Sequence, residues 1–240
     1  DKVSPTNSRV MILGPSGSGK ELVARLIHRK SARAEGPFVA LNAATITPDR
    51  MEIALFGTEG SPGQPRRTGA LEEAHRGILY LDEIGEMPRE TQNKILRVLV
   101  DQQFERVGGS KRVKVDVRII SSTAYDLEYM ISEGKFREDL FHRLSVVPVK
   151  VPPLSDRRED IPFLVDIFMR QICEQAGIKA RKIGDDALAI LQAHDWPGNL
   201  RQLRNNIERR LILAQTDGPD RPVTAEMLPA DVLDTMPKVS

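Results

Sequence analysis

"VMILGPSGSGKE", residues Val10–Glu21, joins an apolar, β-branched run to a glycine-rich turn that ends on a lysine. Gly14, Gly19 and Lys20 keep the G-x-x-x-x-G-K spacing, and an amphipathic stretch with Leu22, Val23, Leu26 and Ile27 follows at once. A loop of this kind, here Gly14, Pro15, Ser16, Gly17, Ser18 and Gly19, lets backbone N–H groups wrap a phosphate. The N-terminus of the next helix adds positive potential, and the lysine reaches the terminal phosphates. One position departs from the general motif: Glu21 stands where Ser or Thr would hold Mg²⁺.

Working outward, short apolar runs recur at "RVMIL", "PFVAL", "GILYLDE", "VDVRIISS" and "SVVPVKV", with amphipathic stretches between them, which predicts a parallel α/β sheet over 1–152. Val113, Val115 and Val117 alternate with charged residues after Gly108-Gly109 and predict a hairpin. Two prolines and a charge cluster in "VPPLSDRREDIP" mark a domain boundary. Beyond it only helical periodicity remains, in Ile161, Leu164, Val165, Phe168 and Ile172, in Ala187, Leu188 and Leu191, and in Leu200, Leu203, Ile207 and Leu211. A helical domain of three or four helices is expected over 153–216. The Pro-, Asp- and Thr-rich tail 217–240 reads as a linker.

Composition excludes several classes. Hydrophobic residues at 40% and charged residues at 29% fit an ordinary globular protein. No stretch approaches the roughly 18 apolar residues of a membrane span, so a cytosolic location without a membrane partner is expected. The net charge of +1 gives no general pull toward nucleic acid. The single cysteine, Cys173, forbids an internal disulfide framework, and His28, His75, His142 and His194 are too scattered to suggest a metal site. The sequence opens at Asp1 with no signal-peptide pattern, which suggests a fragment of a longer protein.

Two acids close the strand "GILYLDE". Downstream of a phosphate loop, Asp82 is placed to hold a metal and Glu83 to activate water. In "GKFREDLFHRL", Arg137 and Arg143 share one predicted helix. They either form a solvated face with Glu138 and Asp139 or supply charge to a phosphate bound by a neighbouring subunit. "WPGNLRQL" reads as a turn with Asn199 capping the next helix, leaving Arg201 in its first turn as a further candidate.

Together these motifs make Arg9–Leu228 resemble the central AAA+ ATPase domain of bacterial enhancer-binding proteins, the activators of sigma-54 RNA polymerase. In that family Glu follows the GK pair, as Glu21 does. The resemblance implies an AAA+ P-loop NTPase fold, with a parallel five-stranded sheet flanked by helices and a small C-terminal helical lid. It also implies that Lys20 and the Gly14–Gly19 loop bind ATP, that Asp82 organises Mg²⁺, and that Glu83 activates water. By the same resemblance Asn42 restrains Glu83, Arg137 and Arg143 are arginine fingers, and Arg201 is the sensor arginine of the lid. Sites of this kind lie between subunits, so a self-assembled ring is implied.

Three departures bear on activity. Where the family carries the sigma-54-contacting GAFTGA loop, the chain reads "GTEGSPGQPRRTGA", Gly57–Ala70, shorter and without an aromatic residue. Such a loop argues against a conventional grip on sigma-54 and leaves RNA polymerase as a candidate partner. The pattern resembles NtrX-type nitrogen-regulation response regulators of alphaproteobacteria. Those proteins carry a receiver domain, addressed by a sensor histidine kinase, before the ATPase domain and a helix-turn-helix DNA-binding domain after it. After "RIISST", Ala124 replaces the family's usual γ-phosphate-sensing asparagine, leaving Thr123 nearest, and only "DKVSPTNS" precedes the first strand where the family contacts adenine. The sequence therefore supports an ATPase that remodels a transcription complex, with a nucleotide-gated binding module of little turnover as the alternative. A small-molecule kinase ranks last, since it leaves the arginine pair unexplained.

Overall fold

The computed structural model describes residues 1–214 and 221–233, with the side chains of 211–214 left aside. The chain divides into two compact units: Asp1–Pro15 with Lys20–Val151, and Ser16–Gly19 with the chain from Pro152 onward. The change of unit at Val151/Pro152 falls one residue before the boundary read from the sequence.

In the first unit β1 (Val10–Leu13) leads through the glycine-rich loop to α1 (Lys20–Arg29), followed by β2 (Phe38–Asn42), α2 (Pro48–Phe56), α3 (Ala70–Glu73) and β3 (Ile78–Asp82). Then come α4 (Arg89–Asp101), β4 (Gln103–Glu105), β5 (Arg112–Lys114), β6 (Arg118–Thr123), α5 (Leu127–Ser132), α6 (Glu138–Leu144) and β7 (Val147–Lys150). Five strands form a parallel sheet in the order β2-β3-β6-β1-β7, so the carboxyl ends of all five lie along one edge. Pro148 cannot donate to a ladder and is tolerated because β7 is an edge strand.

Successive strand residues serve opposite faces of this sheet. Val10, Ile12, Ile78 and Ile120 pack with Ala24 and Ile27 of α1, whereas Met11, Leu79, Leu81 and Ile119 pack with Met51, Leu55, Leu71, Ile95, Val98 and Leu140 from the other helices. Both faces are covered, which is why the strands read as continuous apolar runs. On α1, Leu22 and Leu26 are 61% and 49% exposed, so only Val23 and Ile27 of the expected stripe turn inward.

The predicted hairpin is β4–β5, with Phe104 paired to Val113. The Gly57–Ala70 segment, without helical or strand period, is nevertheless folded. Thr58 bridges Arg67 antiparallel and Val107 parallel, and Ser61 bridges Gln64. Positive φ at Gly57 (73°) and Gly60 (84°) permits the turns. Arg106, buried at the base of the β4–β5 turn, donates to both carboxylate oxygens of Glu72 (2.7 and 3.0 Å) and to Glu59 (3.1 Å). This clasp fastens the Gly57–Ala70 segment to the hairpin.

In the second unit α7 (Ile161–Ala176), α8 (Asp185–Ala193) and α9 (Asn199–Ala214) surround a core that includes Val165, Phe168, Ile172, Leu191, Trp196 and Leu203. The linker expected over 217–240 does not hold for Arg221–Leu233. Val223 bridges Ile183, and Leu228 and Val232 join the same core, the latter from the short α10 (Ala230–Leu233). Spaced apolar residues among prolines suffice here because they only fill gaps between existing helices. Residues 217–220 and 234–240 of the expected linker, and the side chain of Leu211, lie outside the described part.

Candidate nucleotide site

Parallel sheets place ligands outside the carboxyl ends of their strands, and in the first unit this edge gathers four of the predicted residues. Lys20 opens α1, and its Nζ donates to Gly14 O (2.9 Å) and Pro15 O (3.1 Å) and stands 3.6 Å from Glu83 Oε1. Asp82 ends β3 and lies directly opposite Asn42 of β2. Glu83 adopts a left-handed backbone (φ 52°, ψ 53°), uncommon outside glycine. That turn swings its carboxylate back, so that Oε2 accepts from Ala124 N–H at 3.4 Å.

The carboxylate of Asp82 is tied down on one side. Its Oδ1 accepts from Glu83 N–H (3.0 Å) and from Ser122 Oγ (2.5 Å), while Tyr80 Oη, whose one proton goes to Ser122, lies 3.4 Å away. Its Oδ2 meets Asn42 Nδ2 at 3.4 Å. Asn42 therefore contacts Asp82 and not Glu83, and its Oδ1 is occupied by Ala44 N–H at 2.9 Å. The register explains this: Asn42 and Asp82 are cross-strand partners, whereas Glu83 has already left the strand.

Tyr80 and Ser122 lie buried behind Asp82, and the motifs did not mark them. Their signal is faint but physical, because Tyr80 lies two residues before Asp82 on one strand and so shares its face. Burial of Tyr80, opposed in part by its bond to Ser122, raises its phenol well above the ordinary range.

Ser16–Gly19, the middle of the glycine-rich loop, belongs to the second unit, where Leu200 N–H and Arg157 Nη2 donate to Gly17 O and Ser18 O, each at 2.9 Å. Gly17 has φ +76°, and a Cβ there would come within 2.6 Å of Gly198 O, so glycine is required. Asn199 does not cap α9. Its φ is positive, and its side-chain Oδ1 accepts from Leu154 N–H at 2.8 Å, fastening the start of the unit to its last long helix. Arg201, Asn205, Arg209 and Ser16 line an open cavity of about 390 Å³.

Arg137 and Arg143 do not share a helix. Arg137 sits at the N-cap of α6, outside the helix, while Arg143 lies in its last turn. Arg137 is held by Asp139 (2.8 and 3.0 Å) and Asn93 (3.1 Å), and the Asp139 hydrogen bond raises the guanidinium further and depresses the carboxyl. Arg143 is exposed, and among the described residues no acid pairs with it.

These residues fit a polyphosphate with a divalent cation. In the first unit a lysine stands 3.6 Å from the Glu83 carboxylate, and the neighbouring Asp82 keeps one oxygen with a single long contact. No cluster of three or more His, Cys, Asp or Glu among the described residues could enclose a metal. A single carboxylate with phosphates and water is the usual Mg²⁺ arrangement. No described helix is long and apolar enough to cross a membrane.

Comparison with known families matches residues 1–150 to the sigma-54 interaction domain and residues 155–239 to the AAA+ ATPase lid domain. The nitrogen assimilation regulatory protein NtrX of Azorhizobium caulinodans is 66% identical over 232 residues, covering 97% of this chain and 51% of that protein. The crystal structure of NtrX from Brucella abortus in complex with ATP aligns with a TM-score of 0.92 at 73% identity, over 100% of this chain and 53% of that one. The same protein in complex with ADP gives 0.91 at 72% identity, again over 100% of this chain and 53% of that one. The chain thus spans about half the length of the relatives it matches.

Proposed function

This chain belongs to the sigma-54 interaction domain family, and from that membership we propose that it is the ATP-binding and ATP-hydrolysing centre of a two-component transcriptional regulator. The observation that carries the reading is the meeting of Lys20, which follows β1, with Glu83 and its neighbour Asp82, which ends β3, at the carboxyl edge of the parallel sheet. Support comes from the nucleotide complexes of the Brucella relative.

In this reading the Gly14–Gly19 backbone and Lys20 bind the phosphates, with Glu21 following the lysine as in the family. Mg²⁺ supplies charge neutralisation on the phosphates when bound, and Asp82 Oδ2, the less encumbered oxygen, is the atom that organises it. Glu83 takes the proton of the attacking water at Oε2, oriented by the Ala124 N–H. Asn42 steadies the pair through Asp82. Arg137 and Arg143 complete the site of a neighbouring copy, and Arg201 serves as the lid arginine. The longer protein carries a receiver domain, phosphorylated by a sensor histidine kinase, and a helix-turn-helix DNA-binding domain. RNA polymerase is its candidate partner, without the GAFTGA grip on sigma-54.

A second reading has a specific observation behind it: Ala124 offers only its backbone at the position where the family senses the γ-phosphate. On that reading ATP gates assembly and turnover is slight. Turnover measured against protein concentration separates the two. Per-subunit rates that climb through the micromolar range and vanish in Arg137→Ala support the shared-site ATPase. Flat, negligible rates despite ATP binding support the gated module.

A further inference from the structure

We infer that Tyr80 and Ser122 form a hydroxyl relay within the sheet that positions Asp82, presenting its Oδ2 toward bound metal while holding Oδ1. The inference rests on the assignment of Asp82 as the metal-organising carboxylate. Tyr80 Oη donates to Ser122 Oγ at 2.8 Å, and Ser122 Oγ donates onward to Asp82 Oδ1 at 2.5 Å. Both hydroxyl-bearing residues are fully buried, in adjacent strands whose register is fixed by the β3–β6 ladder. The Tyr80 ring is further confined by stacking on Phe38 with centroids 6.0 Å apart.

A buried tyrosine needs a hydrogen-bond partner, and a backbone carbonyl would satisfy that need. Here the chain of donors ends instead on a carboxylate of the site. Donors lined up in a low-dielectric interior polarise one another, and a carboxylate oxygen that accepts from both Ser122 and the Glu83 N–H does not rotate freely. Oδ1 is thus committed to the sheet, and Oδ2, with one long contact from Asn42, is left for the cation. Both hydroxyls are buried and spend their protons within the sheet, so their role is positional.

The test is ATP binding by calorimetry, with and without Mg²⁺, for the chain Asp1–Ser240 and its Ser122→Ala, Tyr80→Phe and Asp82→Asn variants, each checked for an unchanged circular dichroism spectrum. Metal-free ATP affinity is expected to stay unchanged in the two hydroxyl variants. The Mg²⁺-dependent gain should fall about tenfold in Ser122→Ala, the lower end of the usual cost of losing a partner behind a metal ligand. Tyr80→Phe, which keeps the ring and loses one oxygen, should fall in the same direction by less, and it carries the test if Ser122→Ala does not fold. The Mg²⁺ concentration for half-maximal turnover should rise while the rate at saturating Mg²⁺ changes little. A Mg²⁺ gain lost in Asp82→Asn but intact in both hydroxyl variants overturns the relay alone. A gain intact in Asp82→Asn overturns the assignment of Asp82 and the relay with it.

Discussion

Lys20 Nζ and Glu83 Oε1 lie 3.6 Å apart with side chains only 5% and 17% exposed, so each is the other's counter-ion inside a sheltered pocket. Removing the lysine removes the cation aimed at the phosphates and strands a carboxylate beside them. Lys20→Ala should weaken ATP binding by about a hundredfold or more, the scale of truncating one partner of a buried charge pair. Calorimetry showing unchanged affinity would refute the pocket.

Glu83→Gln keeps the shape of that side chain and removes its basicity. Binding of ATP should persist, while turnover should drop by about 10²–10⁴, the range of general-base contributions. A variant that hydrolyses at the parent rate means the base is another group.

Arg106 is expected to matter for stability more than for chemistry. Its guanidinium is enclosed by Glu59 and Glu72, and the paired hydrogen bonds to Glu72 hold it above the ordinary guanidinium range. Arg106→Ala should destabilise the first unit by about 3–5 kcal/mol, because two acids lose their shared cation. Arg106→Lys should fail to restore it, since an ammonium cannot reproduce the forked geometry. Thermal melts of the two variants check this, and a lysine variant that melts with the parent would be contrary.

Deleting the chain from Arg221 onward should loosen the second unit. Val223, Leu228 and Val232 are each 5% exposed or less, and burying such side chains contributes about 1.5–3 kcal/mol apiece. Trp196, the single tryptophan of the chain, is fully buried in that core and bonds Leu191 O at 2.7 Å. Its fluorescence should move to the red on truncation. Unchanged emission would mean that Arg221–Leu233 adds little to the core.

Burial raises the thiol of Cys173, which is 2% exposed. Above the ordinary thiol pKa of about 8.5, the unfolded chain releases a proton that the folded chain keeps. This group's contribution to stability is therefore complete below that pH and declines as pH rises through and beyond it. Denaturant titrations at pH 7.5 and 9.5 should show the fall, and Cys173→Ala should reduce it. A Cys173→Ala variant with the same fall would assign it to other groups.

The sheet was legible because its inner strands β1, β3 and β6 are covered on both faces, which leaves continuous apolar runs such as "ILYLD". The glycine-rich loop was legible because its backbone demands are local. What escaped the sequence were pairings made across the sheet: Asn42 with Asp82 and Tyr80 with Ser122. Neither has a signature along the chain, since cross-strand partners are fixed only when the sheet forms. Arg221–Leu233 escaped because a few spaced apolar residues among prolines carry no period. Leu22 and Leu26 escaped for the opposite reason: their spacing fits a helix stripe, but the part of α1 that carries them does not face the sheet.

One arginine outside the site sets a limit on how the chain can be cut and joined. Arg118, 2% exposed, donates to Ser8 O, Ser4 O and Val3 O at 2.9, 2.6 and 2.9 Å, and no acid among the described residues pairs with it. Its charge is solvated by the carbonyl dipoles of the segment before β1, and a fragment begun at Val10 would leave that guanidinium facing a dry gap. Any chimera that places a different module upstream must therefore keep Val3–Ser8 as part of the folded body. The seam for swapping domains lies before Val3, although the first strand begins only at Val10.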